Sequence, residues 1–466
     1  MPDMSGGGTG SVKPMSQPVR DARTALTRFG LGVEPGEIRS LAGDPRGYVA
    51  AQLGKGSPAL PLRLGATPAL LEAERAFAEE KKMARAGAAN ATDDSKTPNP
   101  AQQTYADELA ARAAHATTTA TPFVERLVMF WSNVMCVAAA KGPVVRILAG
   151  AFEREAIRPH VLGRFGDLLR AVTGHPAMLA YLDNDRSIGP NSPAGLRRDA
   201  GLNENLARET LELHSVGADG GYVQADVTNL ARIITGWRTA RPSEAGGADG
   251  FVFDPRAHEP GTFAVLGRAY GQPGVAQGEA VLADLATSPA AARMVARRLA
   301  RHFVGDQAPA YLVAELERRF NDTGGDIGAM AAALVAHDAA WEARPARFLP
   351  PYDFLVAVHR LLGEPARAPV FRRVTNVLGQ PLWDPPSPEG WPEDDAAWAS
   401  PSGVLGRADW ATQMAGAAAG TRDIGAMATD VLGADATPET LAAVARAESR
   451  QQALALLVTS SEFQTR

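Results

Sequence analysis

Between Gly201 and Trp237 the chain reads GLNENLARETLELHSVGADGGYVQADVTNLARIITGW. Apolar residues recur at three- and four-residue spacing on both sides of Gly220–Gly221, which is the pattern of two amphipathic helices around a glycine turn. The second of these is read as running from Gln224 to Trp237, with Val227, Leu230, Ile234 and Trp237 on one apolar stripe. Elsewhere strand signals are nearly absent and no short repeat occurs. The expected fold class is all-α: a large multi-helical body with long irregular crossovers and one small β-hairpin.

The other elements follow from the same patterning. Residues 1–20 are rich in Gly, Ser and Pro and are expected to be a disordered tail. Residues 85–104 form a polar insert, expected to be mobile. Phe123 to Ala140 is the strongest early core helix, because its aromatic and branched residues are too continuous for a surface element. Residues 238–270 read as a loop or hairpin crossover, with Phe251/Phe253 alternation on one side of a Pro260–Gly261 turn. Residues 379–400, with Trp383, Trp391 and Trp398 among prolines, are expected to wrap the helical core and be anchored to it by those aromatics. A carbohydrate or protein partner for the three tryptophans is the rarer alternative.

Composition removes several function classes. A formal charge of -5 across 466 residues, with a pI near 6.0, gives no general drive toward nucleic acid. The arginine pairs at 197–198 and 297–298 also lack the aromatic interleaving of a nucleic-acid track. Cys136 is the only cysteine, which excludes a disulfide framework and a thiolate-rich metal cluster. Its apolar flanks make it a buried thiol rather than a nucleophile. No Walker spacing and no GxSxG elbow is present. No unbroken apolar run reaches the length of a transmembrane helix, and the N-terminus lacks an apolar signal core. The expected location is therefore the cytoplasm, with export to the periplasm alongside a partner left open.

The chemistry-bearing residues concentrate at 203–215. At 100° per residue, Glu204, Asn205, Arg208, Glu209 and Glu212 share one face, while Leu206, Ala207, Thr210, Leu211, Leu213 and His214 occupy the other. Arg208 stands four residues from both Glu204 and Glu212, the spacing of helix ion pairs. Glu212 and His214 point nearly opposite ways, so the ELH triplet cannot ligate one ion from a continuous helix. Three uses of this helix remain: a structural ion-pair network, a metal or substrate site on Glu209 and Glu212, and a partner-binding face. The first leads. His214 is read as a satisfied core histidine.

Two outlying groups complete the candidate polar centre. Asp254, Arg256, His258 and Glu259 lie within six residues, in a role of loop-stabilising hydrogen bonds or as part of a site. His175 precedes Pro176, where it caps a helix or shares a pocket with Asp183. A divalent metal is the one cofactor considered, and its ligand set would be Glu209, Glu212 and His258.

The segments ALTRFGLG (25–32), ERLVMFWSN (125–133), HPAMLAYLDN (175–184), NENLARETLELHSVG (203–217), YVQADVTNLARIITGW (222–237), HEPGTFAVLG (258–267) and GQPLWDPPSPEGWP (379–392) resemble the bacterial domain of unknown function 1800 (DUF1800). With the helix around Trp410, the resemblance runs in order over residues 21–460 and implies a single helical family domain. It supplies no reaction and no catalytic residues. The family's genes often neighbour those of the phosphatase-like domain of unknown function 1501 (DUF1501), which implies a protein partner. Two local departures stand out: Thr210 fills a place often aliphatic, and Ser132 one where histidine is common. The leading expectation is an interaction or accessory partner of a co-encoded phosphatase-like protein. The alternative is a metal-dependent enzyme, hydrolytic in type, with an acidic and histidine-lined pocket. Carboxylates and histidines facing one enclosed cavity would mark the enzyme, and exposed apolar residues around the crossovers would mark the interaction protein.

Overall fold

The computed structural model describes residues 17–60, 64–87, 98–197, 201–240, 244, 250–342 and 347–466. Among these are twenty-two α-helices and four three-residue strands. The helix starts are written in the sequence. Asp44, Asn99, Ser288, Ser400 and Thr437 each accept a backbone N–H from the first turn, and each is followed directly by proline at the first helical position. The side chain satisfies an otherwise orphaned donor, and proline removes another while presetting φ.

One continuous apolar core runs through the helices. Its centre joins distant parts of the chain: Phe29 packs on Phe123, Phe303 and Trp341 with ring centroids 4.7–5.7 Å apart. The Pro100–Thr118 and Pro143–Phe152 helices pack closely because Gly150 has no side chain. A Cβ there would stand 2.5 Å from the side chain of Glu108.

Several expected boundaries move. A helix begins at Gln17, inside the segment read as a tail, and residues 1–16 lie outside the described residues. Of the 85–104 insert, residues 85–87 end the Thr67–Gly87 helix and 100–104 begin the next, while 88–97 lie outside the described residues. The early core helix spans Pro122–Val134 and stops six residues short of Ala140. By mean hydropathy (1.4) the stretch Pro122–Lys141 is apolar enough to match a membrane span. A count of unbroken apolar residues misses it because Glu125 and Arg126 interrupt the run. It is core: 78% of that stretch is buried.

The small strands also differ from expectation. The second amphipathic helix is Gln224–Ile233, and Trp237 opens a strand instead of closing the helix. That strand, β1 (Trp237–Thr239), pairs antiparallel with β2 (Phe251–Phe253), so Phe251 and Phe253 face back toward Trp237. The separate hairpin of β3 (Phe263–Val265) and β4 (Arg268–Tyr270) turns at Leu266–Gly267, not at Pro260–Gly261. A two-residue turn that suits strand twist needs positive φ, which Gly267 accepts easily and Leu266 adopts at +49°.

Candidate functional site

In the polar centre at 203–215, the α-helix covers only Asn205–Glu209, and Thr210–Ser215 is wound as a π-helix. The wider winding appears in the Val216 N–H, which donates to the Leu211 carbonyl five residues back at 3.1 Å. The two-face division holds in the main: Leu206, Ala207, Thr210, Leu211 and His214 are buried, although Leu213 is only half-buried. Arg208 pairs with Glu204 at 3.2 Å as spaced, but its second expected partner is replaced. Because the π turn carries Glu212 off the four-residue row, Arg208 donates to Gln224 at 2.9 Å and Glu212 accepts from the Tyr222 hydroxyl at 3.0 Å. Glu204 accepts from Thr228 and Gln224 as well. The Thr228 hydrogen bond leads in holding its carboxyl below the usual carboxylate range. Burial, then the charge of Glu212, raises Glu209.

His214 is in the core, but it is not satisfied. It is 1% exposed, and neither ring nitrogen has a hydrogen-bond partner. Burial, helped by the positive charge of Arg298, drives its pKa down to about 3, so the ring is neutral.

The outlying candidates are each engaged locally. His175 Nδ1 accepts from the Ala177 N–H at 3.1 Å, the capping role, and its Nε2 stands 3.4 Å from Glu155. Asp183 is not its partner: it binds Lys141 at 2.6 Å. His258 Nδ1 lies 3.0 Å from the Thr235 carbonyl. Asp254 accepts from the Arg256 N–H and faces Arg238 at 3.6 Å, while Glu259 clasps Asn191 through both its backbone and side-chain nitrogens. Among the described residues, no three His, Cys, Asp or Glu side chains are close enough to share a metal ion. Glu209, Glu212 and His258 are therefore not brought together.

A different region carries a partly open pocket of about 100 Å³. Its wall is formed by the Pro100–Thr118 and Pro122–Val134 helices, the end of Pro289–Val304, the start of Pro351–Leu362, and the 379–400 crossover. The crossover is pinned like a strap. Trp391 exchanges two hydrogen bonds with the Asn133 side chain, at 2.7 and 3.0 Å. The Ala139 N–H donates to the Trp383 carbonyl at 2.8 Å, and the Tyr105 hydroxyl donates to the Leu382 carbonyl. Trp383 and Trp398 are buried, so the anchoring role expected of these aromatics holds. Trp383 also has φ +51°, a left-handed conformation that a bulky residue keeps only when its surroundings enforce it.

Behind the cavity lies a charge network that local spacing did not disclose. Glu153, 1% exposed, accepts from Arg112, Arg158, Ser132 and the Trp383 indole at 2.7–3.2 Å. Arg158 makes a two-pronged bond to Glu125, with His115 Nε2 3.3 Å from the same carboxylate. Burial alone would raise Glu125, but Arg158 and His115 bring it well below the usual range. Burial likewise opposes the charge of Glu153, and Arg112 then Arg158 outweigh it. Arg112 also lies 4.6 Å from the Tyr352 ring centroid. With four donors on Glu153, this cluster is a stable foundation and leaves no free base. The signal for it was Glu125–Arg126, two charges inside a helix that is otherwise almost wholly apolar and buried. Ser132, the departure from a common histidine, serves the network as a donor to Glu153. Cys136, on the cavity wall, is pushed up to about 12 by burial, so it is a neutral thiol.

A family profile described as "Protein of unknown function (DUF1800)" matches residues 24–465. The chain belongs to the DUF1800 family. The match takes in both the polar centre and the strap-covered cavity, so both are parts of the DUF1800 domain and not additions to it. No curated protein and no solved structure shows a significant match to this DUF1800 chain.

Proposed function

We propose that this DUF1800 chain is a noncatalytic recognition protein that works beside a phosphatase-like partner of the DUF1501 family. The observation that carries this reading is the apolar surface bracketing the strap. Val377, 73% exposed, ends the Ala368–Val377 helix, and Leu405, 65% exposed, lies beside Val404 near the start of the Pro401–Ala418 helix. The two helix ends meet, because a Cβ on Gly406 would stand 3.0 Å from Leu378. Exposed large aliphatics gathered at one crossover mark a contact surface better than the same residues scattered singly. The ionisable groups of the 203–215 centre support the same reading, since Glu204, Arg208 and Glu212 are engaged with one another or with their neighbours.

Co-expression with a DUF1501 protein from the same genome, followed by size-exclusion chromatography, tests the proposal. The expected result is a stable complex that the double substitution Val377→Glu, Leu405→Glu weakens at least about tenfold, since burying a new charge in an apolar contact is costly. A complex that tolerates both glutamates, or no complex at micromolar concentrations of each chain, overturns it.

A further inference from the structure

We propose that the cavity under the strap binds a small organic carboxylate, with Arg466 and Tyr352 supplying its polar end and the strap's tryptophans and Leu382 its apolar end. This inference does not rest on the docking surface.

The charge balance of the wall points to an anion. Arg112 is matched from behind by Glu153, and Asp353 by Arg126 at 2.9 Å. Arg347 reaches no nearer than 3.9 Å to Asp395, and the lining as a whole carries three arginines, Arg112, Arg347 and Arg466, against two carboxylates, Asp353 and Glu393. Glu393 is itself engaged by His302 Nδ1 at 2.6 Å. With its proton on Nδ1, the ring serves Glu393 and leaves Nε2 as an acceptor, so His302 does not hold the guest.

The wall also holds polar donors without partners. Arg466 Nη1 and the Tyr352 hydroxyl are buried, and neither makes a hydrogen bond of ordinary geometry. Arg466 Nη1 comes no nearer to Asp353 than 3.6 Å. Buried donors left unpaired are costly, and one acceptor group reaching this wall would satisfy both. A planar carboxylate suits a guanidinium as acceptor.

Size and polarity narrow the class. A space of about 100 Å³ is large enough for a short acid. Trp391 and Trp398 pack against each other with centroids 6.0 Å apart and an interplanar angle of 54°, which does not make a flat sugar platform. Phosphate or sulfate needs donors around every oxygen, whereas much of this lining is apolar, including Met129, Leu382 and Pro385. A carboxylate with a short apolar tail uses both halves of the wall.

Titration of the full chain with propionate, propionamide and inorganic phosphate, read by tryptophan fluorescence and calorimetry, tests this. Saturable propionate binding with Kd of about 1 mM or tighter is expected, and propionamide should bind at least about tenfold more weakly. Arg466→Gln and Tyr352→Phe should each weaken propionate, the first by about tenfold, with an unchanged far-UV spectrum confirming the fold. The proposal is overturned by no saturation with propionate, by equal binding of propionamide or phosphate, or by full affinity in both variants.

Discussion

The polar centre at 203–215 and the network behind the cavity use the same residue types to opposite effect. Arg208 and Glu204 are 40% and 30% exposed in their side chains, and water screens their attraction. Arg158 and Glu125 are 4% and 1% exposed, and each would be strongly disfavoured without the other. The first pair is replaceable decoration on a helix. The second is a commitment: once such charges are buried, every partner is required.

The largest test of this contrast is Glu153→Ala, which leaves Arg112 and Arg158 short of a buried counter-charge. Urea unfolding should show a loss of about 3–5 kcal/mol, and a loss under 1 kcal/mol would mean that the network does not carry the load assigned to it. An intermediate effect lies with His214. Its folded pKa is below the unfolded value of about 6.5, so the unfolded chain takes up the proton first. Stability from this group is complete above about pH 6.5 and falls as the pH drops toward about 3. Denaturation midpoints across that window should be flatter in His214→Leu than in the parent, and parallel curves would refute the assignment. The smallest effect belongs to Arg208→Ala, which should cost under about 1 kcal/mol and cost less still in high salt.

The sequence made the fold class and the faces of the 203–215 helix legible because periodicity is a local property. Leu206, Leu211 and His214 were assigned to the packing side from spacing alone, and they are buried. The failures came where the period changed or where partners were remote. A π turn shifts Glu212 away from Arg208 without any residue type that announces it. Trp237 left its helix because pairing with Phe253 across fifteen intervening residues captured it as a strand. The cavity network joins residues 112, 125, 153, 158 and 383, and no window of local spacing spans them. What local reading did offer was an anomaly, two charges in a core helix, whose meaning lies in the fold.

The strap has a further consequence for the timescale of motion. Trp391 N–H is held by the Asn133 side chain and not by a ladder of neighbouring amides, and Gly390 sits so close that a Cβ would stand 2.4 Å from the Asn133 carbonyl. A segment fastened at separate points, without regular backbone pairing, opens between those points as a unit instead of fraying from one end. In hydrogen exchange, the amides around Trp391 should share one opening free energy below that of the surrounding helices.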